Sequence, residues 1–442
     1  MSHSATSHAD LIIRARWLLP VEPAGVSLEE HALVVGDGLI LALLPQAEAM
    51  RRFGAATVID RPHHVLLPGL VNAHSRAATS LMRGLGAGLP PEERQQRHIG
   101  PAEARWVGPG FVRDGTRLAM LEMLRSGTTC FGDSYYFADT VAALAVEHHM
   151  RASVGMLVGE RPTPWAQGTE ECFARGLAVH DQYRDHALVR THFAADAPNA
   201  LGDPTLRHLR LLADELDVPV HMPLHQTTDE VSLGIASHGL RPLERLAGLG
   251  LLTGGFAALH ATEISGEDCA RLAAAGASIV HCPTRSLLHA SGCIPLARLL
   301  DAGVGLALGT GGAESCNRPD LFGELRLASL LARGQSRAAS AIPAATALSM
   351  ATLGGARALG LGEQLGSLVP GKYADLICVD LGSSGIPPGP CDLWQLVLGD
   401  DHCVTDSWIG GRQVLEDGRA LYFDETAVRA AAAAWRQRLG SA

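Results

Sequence analysis

His74-Ser75-Arg76 ends a buried apolar run with an imidazole and a guanidinium on the same face, because side chains alternate along a strand. A neutral imidazole can hold a metal ion or exchange a proton near neutral pH. Arg76 cannot ligate a cation, since its guanidinium stays protonated and offers no lone pair. It suits a carboxylate, a phosphate or an electron-rich heterocycle, whose negative charge it would stabilise. The alternative is that Arg76 pairs with Asp196 and plugs the site, as buried arginines commonly find a carboxylate. His225 and His260 end two later apolar runs, and His260 or Asp196 could move protons. Gln226 can hydrogen-bond but cannot act as a general base. Glu103 and Glu314 could each bind a ligand, or could be a helix-capping and a solvated loop carboxylate.

These groups need a frame. Short buried apolar strands ending in polar residues alternate with amphipathic helices. Eight strands are predicted at 65–74, 128–134, 152–158, 188–196, 218–226, 255–261, 278–283 and 305–310, with helices such as 113–125 and 204–216 between them. Eight such units imply an α/β fold, a (β/α)8 barrel of the TIM type, with function at the C-terminal ends of the strands. The two chain ends are β-rich: 11–19, 31–44 and 56–59 at one, 374–379 and a hairpin at 404–409 closed by Gly410-Gly411 at the other. They are expected to build one small β-sandwich together. The expected division is 1–64 for its N-terminal part, 65–364 for the barrel, and 365–442 for its C-terminal part with a terminal helix at 424–439.

Composition narrows the partners. The chain has 442 residues, 47% hydrophobic and 19% charged, enough for a large buried core. Its net charge of −10 argues against a nucleic-acid surface. The nine cysteines, from Cys130 to Cys403 and including Cys391, never fall in a CxxC pair, as expected of reduced thiols. No apolar leader core occupies the polar segment 1–10, and no long apolar run suggests a membrane span. A cytoplasmic protein with a small-molecule ligand, no nucleic acid and no membrane partner is expected.

Pro68-Gly69-Leu70-Val71-Asn72-Ala73-His74 resembles the first-strand signature of the amidohydrolase superfamily. The chain is similar to its branch of methylthioadenosine/S-adenosylhomocysteine deaminases and triazine chlorohydrolases. Further shared segments include Pro101-Ala102-Glu103-Ala104, Ser126-Gly127-Thr128-Thr129-Cys130, His281-Cys282-Pro283, Leu308-Gly309-Thr310 and Pro370-Gly371-Lys372-Tyr373-Ala374-Asp375-Leu376, and the likeness runs from about residue 11 to about 417. The resemblance implies one zinc or iron ion that activates water for attack on a ring carbon. It also implies the ligands: His-x-His on strand one, His on strand five and Asp on strand eight, with a proton-shuttling Glu three residues after the strand-five His.

This sequence departs at those places. Arg76 stands for the second His, Pro223 for the strand-five His, Gln226 for the Glu, and Gly311 for the Asp, leaving His74 of the four ligands. One histidine does not hold zinc, so no cofactor is expected. A displaced site rebuilt from His74, His225 and His260 is the alternative, with His225 otherwise a polar rim residue. The resemblance gives Glu103 the place of a ribose-binding glutamate, His260 that of the strand-six histidine, and Asp196 that of a strand-four histidine. The charged stretch 90–98 stands where relatives carry an apolar lid, so it either opens the pocket or forms a solvated loop. His281 and Cys282 are read as packing residues.

The function implied is action on a nitrogen heterocycle or nucleoside-like molecule, of the C–N hydrolysis class, without zinc hydroxide. The alternatives are a non-catalytic ligand- or partner-binding protein and a deaminase with a rebuilt metal site. A homodimer or larger assembly, or a mixed one with an active paralogue, is expected from the resemblance.

Overall fold

The computed structural model describes residues 7–381, 393–399 and 403–440. Cys391 and the first six residues of the N-terminal segment lie outside them; the cysteines within them are free thiols. No helix among the described residues is long and apolar enough to cross a membrane.

Eight parallel strands form the barrel: Leu70–Ser75, Thr128–Asp133, Arg151–Val158, Val189–Ala195, Val220–Leu224, Phe256–His260, Ser278–His281 and Gly305–Leu308. Most of their residues are buried on both faces, as expected where helices cover the outside and packed side chains fill the inside. Strand eight meets strand one at the mouth. The amides of Thr310 and Gly311 both donate to the His74 carbonyl, at 3.0 and 2.9 Å. A Cβ on Gly309 would lie 2.9 Å from the backbone of His74, so glycine is what lets the two strands approach. Asn72 ties the same seam, donating to Thr310 Oγ1 at 2.9 Å and accepting from the Thr310 amide at 3.1 Å.

The two chain ends share one mixed nine-stranded sheet. Its spine is the long strand Phe53–Pro68, parallel to Ser7–Leu18 and antiparallel to Leu376–Asp380. Residues 65–68, expected in barrel strand one, therefore belong to this sheet, and Gly69 divides it from the barrel. A Cβ on Gly69 would fall 2.0 Å from Thr129 Oγ1, so the chain crosses there only because that position has no side chain. Leu11, Ile13, Leu33, Leu66, Leu376 and Trp408 form part of the sheet's core.

The stretch 90–98 is helical. Pro91–Arg94 runs into a π-helical turn, Gln95–Ile99, and then into Gly100–Trp106. The terminal helix Glu425–Gly440 packs on Pro109–Arg125, where the Trp435 indole donates to Asp114 at 2.9 Å.

Sheet and barrel are joined by a buried ion pair. Arg151, first in barrel strand three, donates to both oxygens of Asp375, at 2.8 and 3.0 Å, and both side chains are 4% exposed. Asp375→Ala strands this cation. It is expected to cost ~3–5 kcal/mol in urea unfolding, whereas a loss under ~0.5 kcal/mol would show that the pair does not hold the two parts together.

Candidate functional site

A cavity of about 580 Å³ opens at the C-terminal ends of the barrel strands. The structure brings His74, Arg76, Glu103, Asp196, Gln226, His260 and Glu314 to its walls, all of them picked out from the sequence. His225 is not among them.

The reason lies in the backbone. Inside strand five, alternation turns His221 and Pro223 inward, and both line the cavity. Continued one step, it would bring His225 in as well. The strand stops at Leu224, however, and His225 adopts a left-handed φ of 52°. Its ring turns under the helix Pro242–Gly248, accepts from the Leu243 amide at 3.2 Å and lies 3.7 Å from Asp268. His225 is fully buried, not a rim residue. It does not meet His74 and His260, and no metal-holding group of three His, Cys, Asp or Glu is found among the described residues.

Arg76 also departs from the expected pairing. Its partner is not Asp196. One amine donates to Glu103 at 2.9 Å, the other reaches Glu314 at 3.4 Å, and the guanidinium lies 4.7 Å over the Tyr135 ring. Tyr135 donates its hydroxyl to the same Glu103 oxygen at 2.8 Å. Glu103 is thus a buried partner of Arg76 and Tyr135 in the first turn of Gly100–Trp106, and Glu314 sits in a short turn after strand eight. The two carboxylates compensate the Arg76 charge; burial opposes that charge, yet its pKa is raised.

Asp196 instead lines the same cavity without a salt bridge among the described residues. Gly159 gives it room, since a Cβ there would lie 2.8 Å from its carboxylate. Burial raises its pKa, with the charges of Arg161 and Arg76 opposing.

The two imidazoles at the floor, His74 and His260, stack edge to face at 5.4 Å between centroids. Burial, and then repulsion from His221, Arg285 and Arg76, pushes His74 down to about 3. His260 is also pushed well down, first by burial and then by Arg285. Both rings are neutral at pH 7.

Arg285 was not picked out from the sequence. It follows strand seven in Pro283–Leu288, just past His281-Cys282, and donates to Gln226 Oε1 at 2.9 Å. Gln226 is held in turn by Glu230, through its amide at 3.0 Å and its side chain at 3.2 Å. A Cβ on Gly311 would come within 3.5 Å of the Arg285 side chain. The only available signal was an arginine directly after a barrel strand. His281 and Cys282 are buried away from the cavity, as packing residues are.

The stretch 90–98 is helical rather than a loop, with residues 90–92 and 95–97 exposed. Pro91, Arg94 and Gln95 line the cavity, and Arg94 binds the carbonyls of Leu85 and Glu314.

A divalent metal does not fit these donors. Proline and glycine bring no side-chain ligand at 223 and 311, Gln226 is engaged by Arg285, and Arg76 offers no lone pair.

The amidohydrolase family model matches residues 65–414. A protein of Teredinibacter turnerae named 5-methylthioadenosine/S-adenosylhomocysteine deaminase is 40% identical, over 99% of this chain and 99% of its own length. Its namesake from Saccharophagus degradans is 41% identical, over 98% of this chain and 97% of its own. Among solved structures, an adenosine deaminase from Xanthomonas campestris with bound zinc is 44% identical, with a TM-score of 0.96 over 99% of this chain and 100% of that one. Atrazine chlorohydrolase from Arthrobacter aurescens complexed with zinc, 22% identical with a TM-score of 0.88 over 96% of this chain and 100% of that one, shares the fold.

With folded pKa values below the usual 6.5, His74 and His260 contribute stability that is present above that pH and is lost as pH falls towards the folded values. Their NMR signals should therefore stay those of neutral imidazole from about pH 8 to about pH 5. Titration near 6.5 would contradict the burial described.

Proposed function

The chain belongs to the amidohydrolase family, and on that premise we propose that its barrel mouth binds a nitrogen heterocycle or nucleoside-like small molecule without metal-hydroxide chemistry. The observation that carries this reading is the donor set: a cavity of about 580 Å³, the size of a small-molecule site, keeps the wall of a deaminase-like pocket but lines its floor with Arg76, Arg285, Pro223 and Gly311. The names of the relatives support C–N hydrolysis, the deamination of an amino-substituted ring, as the reaction class from which this pocket descends.

Binding is favoured over turnover by the protonation states of the floor. His74 and His260 are neutral and too weakly basic to draw a proton from water, and Gln226 cannot relay one. Glu103, which holds Arg76 on one wall, is suited to accept hydrogen bonds from hydroxyls of a nucleoside-like ligand. A second reading, metal-free C–N hydrolysis, rests on Asp196. It is a cavity carboxylate with a raised pKa and with no salt bridge among the described residues, so it could carry a proton.

The test is a titration with 5′-methylthioadenosine or adenosine, followed by recovery of the ligand. Saturable binding with the nucleoside recovered intact, with or without added zinc, is expected. Zinc-dependent release of ammonia would overturn the proposal. Ammonia released without metal and lost in Asp196→Asn would establish the second reading instead. Glu103→Ala should weaken nucleoside binding by about tenfold or more, because it also leaves Arg76 short of a partner; unchanged affinity would remove Glu103 from the site.

A further inference from the structure

The two arginines of the mouth differ in what surrounds them. Arg76 has two carboxylates within 3.4 Å. Arg285 has a neutral amide, Gln226, at 2.9 Å, and no salt bridge among the described residues. Its other terminal nitrogen, Nη1, is buried without a hydrogen-bond partner. Glu314 Oε2, His74 Nδ1 and His260 Nδ1 are likewise buried and unpartnered, and all four residues line the one cavity. Buried polar atoms of this kind are uncommon in folded proteins, and a group of them around a cavity marks where a polar ligand fits.

Charge gives that ligand a sign. Arg76, Arg94, Arg161 and Arg285 line the cavity against Glu103, Asp196 and Glu314, one cation more than carboxylates among the lining residues, in a chain of net charge −10. Position follows from Gly311. With φ +67° and no side chain, it leaves open the space where a Cβ would stand 3.5 Å from the Arg285 side chain. Gln226, itself held by Glu230, fixes the Nη2 side of the guanidinium, while Nη1 stays buried without a partner.

We propose that Arg285 makes the floor of the mouth an oxyanion subsite, taking a carboxylate or similar small anion carried beside the ring of a nitrogen heterocycle. Nη1 donates a charge-assisted hydrogen bond to the anion, and Glu314 Oε2 accepts from a ring N–H. The heterocycle part of this inference rests on the proposed function; the anion subsite rests on Arg285 alone.

The probes are uracil-6-carboxylate and its uncharged 6-carboxamide, matched in shape, with inorganic phosphate as a free anion. Each is titrated calorimetrically into the full-length protein at low salt. The carboxylate should bind about tenfold or more tightly than the amide. Arg285→Ala should bring that ratio to about one, and Arg285→Lys should restore part of it, with thermal unfolding checking that both variants are folded. Equal affinities in the unaltered protein, or a carboxylate preference that survives Arg285→Ala, would overturn the anion subsite and leave the heterocycle reading standing. If neither uracil derivative binds but phosphate does, and Arg285→Ala abolishes it, the subsite stands and the heterocycle reading falls. No binding of phosphate or carboxylate at millimolar concentration overturns the subsite.

Discussion

A guanidinium buried at the mouth of a barrel must be compensated or must be given something to bind, because its charge cannot be discarded. Arg76 imposes that condition on this protein. Glu103 comes from the helix Gly100–Trp106 and Glu314 from the turn after strand eight, so compensating one cation fixes two separate loops against strand one. Tyr135, from the end of strand two, adds its ring beneath the guanidinium and its hydroxyl to Glu103. The helical stretch from Pro91 to Ile99 then closes over this arrangement through Arg94.

Arg285 meets the same condition differently. Its anchor is a neutral amide rather than a carboxylate, and its Nη1 is buried without a hydrogen-bond partner. Burial disfavours both neighbouring imidazoles as cations; Arg285 then lowers His74 and His260, and Arg76 lowers His74. The result is a pair of neutral rings beside one guanidinium compensated by two carboxylates and one held by an amide.

Much of this was legible in the sequence. Short buried apolar runs ending in polar residues located the eight strands, and the rule that barrels work at their C-terminal ends gathered His74, Asp196, Gln226, His260 and Glu314 into one place. The two β-rich chain ends, expected to build one small β-sandwich, do come together, in a single mixed sheet. What escaped depends on backbone and on distant partners. Alternation along strand five gave no warning that His225 would turn outward, since that follows from a left-handed φ one residue past the strand. The pairing of Arg76 with Glu103 and Glu314 rather than Asp196 is set by how three loops converge, which spacing along the chain does not encode. Arg285 was hidden in a segment that reads as packing, and its reach to Gln226 appears only once strands five and seven are placed in the same barrel.

The central claim is that this mouth is built for a polar organic ligand and not for a metal ion. It is tested most directly by elemental analysis of the full-length protein, expressed with zinc, iron and manganese supplied and purified without chelator. Well under one ion per chain is expected. About one tightly held ion per chain, retained through dialysis, would contradict it, because the residues at 76, 223, 226 and 311 would then have to be bypassed by a ligand set that the structure does not bring together.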